Sequence, residues 1–227
     1  MKQSSLFPEP ISGAASGIET KRKRSSSKPE VLPPGFRYQP NLIGEAEEQD
    51  LIGALGGLPL KPFDFHGYEG NRRVVSFGLR YDYDRRGVEE AEPAPEFLEN
   101  LRTKVAAFAG CAPEDFRQVG INEYRPGAGI GWHRDKPQFG DVVGVSLGAV
   151  VKMRFRRPEG KGGVKGWARA SKILEPRSVY LMSGESRRVW YHSIPPATEL
   201  RYSIMFRTLA GPLELLGTRA ADTIGGE

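Results

Sequence analysis

The chain has three histidines, and two of them keep informative company. His133 and Asp135 form an H-x-D pair in Trp132-His133-Arg134-Asp135. On an extended strand residues i and i+2 point to one face, so both side chains can reach a single ion. His192 stands far downstream in Val189-Trp190-Tyr191-His192, which also reads as strand. Two imidazoles and a carboxylate on one side of a metal, with other positions open, are the ligand set of non-haem Fe(II) oxygenation. Either piece alone more often marks a solvated surface or a satisfied interior histidine. Arg201-Tyr202-Ser203-Ile204-Met205-Phe206-Arg207 adds weight, because alternation sends both arginines to one face of a half-buried strand. Inward guanidiniums need anionic partners, and a dicarboxylate co-substrate meets that need with bidentate geometry.

Positioning these groups requires strands that return to one place. Val119–Tyr124, Asp141–Gly148, Ala149–Arg157, Ser178–Gly184, Val189–Ile194 and Arg201–Leu209 read as short strands without helices between them. That pattern indicates a barrel or a double-sheet jelly roll. Gly160–Gly166, rich in Gly and Lys, reads as a loop. Upstream, Glu45–Leu58 carries Leu51, Ile52 and Leu55 at helical spacing and stops at Gly56-Gly57. Asn71–Tyr83 is β-rich, and Pro95–Ala109 reads as a second amphipathic helix closed by Gly110. The fold class expected is therefore mainly β with flanking helices (α+β): a double-stranded β-helix core over residues 118–210, preceded by a 33–117 region of helices and a β-hairpin lid. Residues 1–32, with Lys21-Arg22-Lys23-Arg24 among serines and prolines, read as a disordered basic tail, and 211–227 as a flexible one.

At 227 residues, 38% hydrophobic and 27% charged, the chain holds one domain with tails and enough apolar content to exclude wholesale disorder. No apolar run approaches the roughly 20 residues of a membrane helix, and the start lacks the apolar stretch of a secretory signal. Cys111 alone supports no internal disulfide. The expectation is an intracellular, cytoplasmic monomer, nuclear only in a eukaryotic host. A formal charge of +5 permits polyanion binding without demonstrating it.

Taken together, Asn122-Glu123-Tyr124-Arg125-Pro126-Gly127-Ala128, His133-x-Asp135, Val145-Ser146-Leu147-Gly148, Ser183-Gly184-Glu185-Ser186-Arg187 leading to His192, and Arg201-x-Ser203-x-x-Phe206-Arg207 resemble the AlkB family of Fe(II)/2-oxoglutarate-dependent dioxygenases. The resemblance implies Fe(II) as cofactor, held by His133, Asp135 and His192, with 2-oxoglutarate and O₂ as co-substrates. Arg201 and Tyr124 would meet the distal carboxylate of 2-oxoglutarate, while Arg207 and Asn122 hold its metal-proximal end. Ser203 stands where well-studied members carry Asn, which puts one hydrogen bond in question. The implied reaction is oxidative removal of N-methyl groups from alkylated DNA or RNA, releasing formaldehyde, succinate and CO₂. The same chemistry on a tRNA nucleoside or a protein lysine, and a silent nucleic-acid-binding module, are the alternatives.

For substrate contact, Tyr81 and Tyr83 in Arg80-Tyr81-Asp82-Tyr83 offer stacking faces, with Arg72, Arg73, Arg80, Arg85 and Arg86 as nearby cations. Alternation places Lys152, Arg154 and Arg156 in a positive stripe. Pro137, where the bacterial repair enzyme of this family carries an acidic residue, prevents transfer of lesion preference.

Overall fold

Apolar residues on alternate positions give each core strand two working faces. The computed structural model describes residues 31–65, 68–161 and 164–215. In order, the elements are β1 (Phe36–Gln39), α1 (Glu45–Gly56), β2 (Lys61–Phe65), β3 (Tyr68–Phe77), β4 (Leu79–Asp82), β5 (Gly87–Glu90), α2 (Glu99–Ala109), β6 (Gln118–Tyr124) and β7 (Ile130–His133). They continue with β8 (Phe139–Gly148), β9 (Val151–Lys161), β10 (Val164–Leu174), β11 (Ser178–Met182), α3 (Gly184–Arg188), β12 (Tyr191–Ile194) and β13 (Arg201–Leu209). Large and small antiparallel sheets result, ordered β1-β11-β8-β13-β6-β3-β2 and β10-β9-β12-β7, with β4 and β5 as a separate ribbon. From β6 onward the chain passes back and forth between the two sheets, as the double-sheet expectation requires.

The large sheet buries both faces. Val143, Val145 and Leu147 of β8, Ile121 of β6 and Ile204 and Phe206 of β13 pack under Leu51 and Leu55 of α1 and Leu101 and Val105 of α2. Burying such side chains fully stabilises by roughly 1.5–3 kcal/mol each. On the opposite face Val142, Tyr124, Tyr180 and Met182 meet Met153, Phe155, Leu174 and Ile194 of the small sheet. Arg201, Ser203, Met205 and Arg207 fall on this inter-sheet face by alternation, so the site lies between the sheets.

Both expected helices form, and Gly110 closes α2 at φ 83°, a left-handed turn suited to glycine. Several expectations need correction. A short helix, α3, separates β11 from β12, and β1, β2 and β10 are strands that local patterning did not reveal. Most of the expected loop at Gly160–Gly166 lies in the β9–β10 ribbon, where Gly160 faces Lys165 and Gly166 faces Glu159. Cross-strand hydrogen bonding there overrides weak intrinsic propensity. A Cβ at Gly166 would come within 2.9 Å of the Glu159 carbonyl oxygen, so glycine permits the close approach.

Strands β1 and β3 pair with β11 and β6, so the large sheet extends into the 33–117 region. Of the expected C-terminal tail, residues 211–215 are described, and Leu213 and Leu215 pack on Leu79, Val88 and Phe139. The basic block 21–24 lies outside the described residues. Among the described residues, no helix is long and apolar enough to cross a membrane.

Candidate metal centre

His133 and His192 are register partners across β7 and β12, with ring centres 4.2 Å apart. Asp135 Oδ1 lies 3.9 Å from His133 Nε2. One ligand atom from each of His133, Asp135 and His192 falls within 4.8 Å of the others, a cluster able to hold a metal ion. The expected strand geometry holds only for the histidines, because β7 ends at His133 and Asp135 follows in the connection to β8. Its backbone is placed by a different device. Arg187 of α3, almost fully buried, donates to the carbonyls of Gly140 (2.8 Å), Asp135 (3.3 Å), Lys136 (2.7 Å) and Phe139 (2.7 Å). One planar fork thus ties down the whole 135–140 turn.

The electrostatics suit a metal site. His133 Nδ1 sits 2.9 Å from the Gly131 carbonyl, which assigns that nitrogen the proton and leaves Nε2 with its lone pair. Burial pushes His192 down to about 3 and lowers His133, so both imidazoles are neutral near pH 7. Burial alone would raise the Asp135 carboxyl, yet Arg207 and the two histidines outweigh it and hold it well below the usual range. Arg207 Nη2 stands 3.5 Å from Asp135 Oδ1, and its Nη1 donates to Gln118 Oε1 at 2.9 Å. A Cβ at Gly120 would lie 2.9 Å from that Nη1, so Gly120 makes room for the guanidinium.

Arg201 is 1% exposed, donates from Nε to Ser146 Oγ at 3.1 Å and stands over the Tyr124 ring at 5.0 Å. Its Nη1 is buried with no hydrogen-bond partner, and among the described residues no carboxylate pairs with it. An uncompensated buried cation costs several kcal/mol, so an anion belongs there. Asp135 Oδ2 and His192 Nδ1 are likewise buried and unpartnered. Orphaned donor and orphaned acceptors on one inter-sheet face fit a metal ion together with a dicarboxylate. Ser203 and Asn122, both buried, are register partners beside Arg201, and Asn122 Nδ2 touches Met205 Sδ at 3.7 Å.

Sequence reading missed Arg187 as an anchor, and it missed Tyr180. That phenol is buried between the sheets, pushed up to about 12 by burial, and it feels the charges of Arg201, Asp135 and Arg207. Its ring occupies the place of a missing side chain: a Cβ on Gly144 would lie 2.2 Å from Tyr180 Cζ. Alternation along Ser178-Val179-Tyr180-Leu181-Met182 carried the signal.

At the opening, Tyr81 and Tyr83 share a side, with ring centres 5.1 Å apart and Lys136 Nζ over both at 4.4 and 4.5 Å. Arg72 lies 3.8 Å over the Phe63 ring and feels the charge of Asp135, which sets it near the centre. Three of the other nearby arginines are committed elsewhere. Arg80 and Arg85 pair with Glu89, and Arg73 pairs with Glu123. Alternation turns Arg80 toward Glu89 of β5 and away from the face that Tyr81 presents. Lys152, Arg154 and Arg156 share one face of β9, as alternation predicts. Register sets Arg156 beside Tyr191 and Phe155 beside His192, so the stripe lies on the outer face of the small sheet, away from the metal ligands.

The match to known proteins follows this geometry. The family model for the 2OG-Fe(II) oxygenase superfamily matches residues 36–210. The chain belongs to the 2OG-Fe(II) oxygenase superfamily. Within this superfamily it is AlkB-like. It is 31% identical over 173 residues to mouse tRNA (carboxymethyluridine(34)-5-O)-methyltransferase ALKBH8, covering 74% of this chain and 25% of that protein. It is 31% identical over 125 residues to the alpha-ketoglutarate-dependent dioxygenase AlkB of Escherichia coli (strain K12), covering 50% of this chain and 55% of that one. The solved structure of OsALKBH1 superposes with a TM-score of 0.57 at 16% identity, covering 79% of this chain and all of that one, which shows a shared fold. The chain spans about a quarter of the length of the mouse and macaque ALKBH8 relatives it matches. Superfamily membership carries Fe(II), 2-oxoglutarate and O₂ as the cofactor set, and the residues present fit it.

Proposed function

We propose that this 2-oxoglutarate-dependent dioxygenase oxidatively removes N-methyl groups from alkylated bases in RNA or DNA. The observation that carries the reading is the buried, unpaired Nη1 of Arg201 on the same inter-sheet face as the His133, Asp135 and His192 cluster. His133, Asp135 and His192 would hold the iron, and Arg201, with Tyr124 at its side, would take the distal carboxylate of 2-oxoglutarate. Bound iron supplies O₂ activation coupled to oxidation of 2-oxoglutarate, giving RN–CH₃ + 2-oxoglutarate + O₂ → RN–H + formaldehyde + succinate + CO₂ overall.

The protein's own part is placement. Arg187 fixes the turn that carries Asp135, and Arg207 keeps that carboxylate ionised. Asn122, Ser203 and Ser146 offer polar atoms beside the co-substrate's seat, and the apolar inter-sheet core excludes water around it. Tyr81 and Tyr83 supply aromatic faces at the opening against which a base can stack. An intact metal cluster with an unpaired arginine argues against a silent binding module.

A second reading, the same chemistry on a tRNA nucleoside, draws support from the ALKBH8 relatives named for a tRNA modification. The test offers methylated single-stranded DNA, duplex DNA, tRNA and a methylated peptide with Fe(II), ascorbate and 2-oxoglutarate, and records formaldehyde and succinate together. Equal release of both from a nucleic acid supports the proposal. Turnover confined to the peptide, or absent throughout, contradicts it.

A further inference from the structure

The outer face of the small sheet, turned away from the metal ligands, has no role in the chemistry above. Its makeup is unusual. A cleft of about 450 Å³ there is lined by Trp132, Lys152, Arg154, Phe155, Arg156, Arg169, Ala170 and Ser171. Four of these eight residues are cations. Among the described residues none of the four pairs with a carboxylate, and no acidic side chain lines the cleft. Two of them meet aromatic rings, and Arg154 Nε also donates to Ser193 Oγ at 3.1 Å. The Arg156 guanidinium stands 4.4 Å from the ring centres of both Trp132 and Trp167, and Arg154 stands 5.2 Å from that of Trp132. Beside them Arg134 lies over the Tyr191 ring at 4.8 Å. Arg156 Nε is buried with no hydrogen-bond partner, and Trp167, at 44% exposed, leaves a large indole in solvent.

We propose that this face binds a single-stranded stretch of nucleic acid, adjoining the catalytic opening and separate from it. Lys152, Arg154 and Arg156 repeat along β9 at two-residue intervals, about 6.8 Å apart. A row of cations fits a polyanion, whereas a single anion would engage one or two of them. Exposed indole and guanidinium planes among the cations are what unstacked bases use, and an acidic peptide has no matching surface.

Topology joins the face to the opening. β7 is the edge strand of the small sheet, and its neighbours Trp132 and His133 point to opposite sides. A strand that crosses this edge can reach both the metal side and Trp132. The choice of partner rests on the proposed action on nucleic acid, while the charge and aromatic pattern stand without it.

The experiment is anisotropy of a labelled oligoribonucleotide of about 12 residues on the full chain, across a salt series, with polyglutamate as competitor. The comparison is with Lys152→Ala/Arg154→Ala/Arg156→Ala/Arg169→Ala, checked for folding by circular dichroism. A second variant, without the Arg156 change, keeps the cation between the tryptophans in case the fourfold change impairs folding. A single strand loses affinity with a log–log salt slope of roughly 0.7 per phosphate contacted, so removing four contacts lowers the slope by about 3. Affinity at low salt falls at least about tenfold. Trp167→Ala weakens binding at least about fivefold with the slope unchanged, the signature of lost stacking.

Wild-type affinity and slope in both cation variants overturn the inference. So does polyglutamate competing as well as unlabelled oligonucleotide. Should binding follow the cations while no methylated nucleic acid is turned over, this face stands and the proposed reaction falls. Turnover of methylated oligonucleotides with binding indifferent to the cations leaves the reaction standing and removes this face as a binding surface.

Discussion

His133 and His192, distant in sequence, are direct register partners on β7 and β12, their ring centres 4.2 Å apart on the inter-sheet side. Hydrogen bonds of the sheet, and not a loop, set the distance between the two imidazoles, so the pair is as rigid as the strands that carry it. Asp135, by contrast, depends on a turn held by Arg187.

Asp135→Ala removes the one carboxylate of the cluster. Metal binding by calorimetry should be lost or weakened at least about tenfold, and formaldehyde release should vanish. Oligonucleotide affinity should largely survive, because the cationic face is elsewhere. Full turnover in this variant would place the metal at other residues.

Arg201→Gln leaves the metal ligands in place and removes the cation that awaits a carboxylate. Losing one partner of a buried, hydrogen-bonded charge pair costs about 2–5 kcal/mol, so KM for 2-oxoglutarate should rise at least about 30-fold. Metal affinity measured without 2-oxoglutarate should be unchanged. An unaltered KM would show that the co-substrate lies elsewhere.

Arg187→Met strips four backbone carbonyls of their shared donor. Hydrogen bonds from a charged group contribute about 1.5–3 kcal/mol each, and water can enter to replace part of them. A stability loss of about 3 kcal/mol in urea denaturation is expected, with weakened metal binding in the fraction that folds. At saturating metal, KM for 2-oxoglutarate should change little, which separates positioning of Asp135 from damage to the Arg201 side. Wild-type metal affinity in Arg187→Met would contradict the anchoring role.

Tyr180 predicts an alkaline effect. Its folded value of about 12 lies above the ordinary 10 because burial opposes the phenolate. A raised value contributes stability fully present below pH 10, and that stability is lost as pH rises from 10 through 12. Two pKa units correspond to about 3 kcal/mol. Between pH 10 and 12 the denaturant stability of wild type should fall more steeply than that of Tyr180→Phe. Parallel curves would mean that the phenol is not sealed between the sheets.

Sequence patterning exposed the features that depend on residue type and alternation, and it missed those that depend on partners. His133, Asp135 and His192 were legible because few residue types bind metal, and Arg201 and Arg207 because period two fixes their shared face. The common face of Lys152, Arg154 and Arg156 was legible for the same reason. Their distance from the centre was also written there, since Val151, Met153 and Phe155 are the apolar half that must turn inward. Strand β10 was invisible because Trp167-Ala168-Arg169-Ala170-Ser171-Lys172 has little strand character of its own and is held by pairing with β9. Arg187 looked like one more basic residue, as its role exists only once the 135–140 turn folds around it.

The central claim is tested most directly by a crystal structure of the chain with Mn(II) and a non-reacting 2-oxoglutarate analogue, using anomalous scattering to locate the metal. One ion bound by His133, Asp135 and His192, with the analogue's far carboxylate on Arg201, is the predicted result. An ion lodged at other residues, or an analogue that leaves Arg201 unpaired, would contradict it.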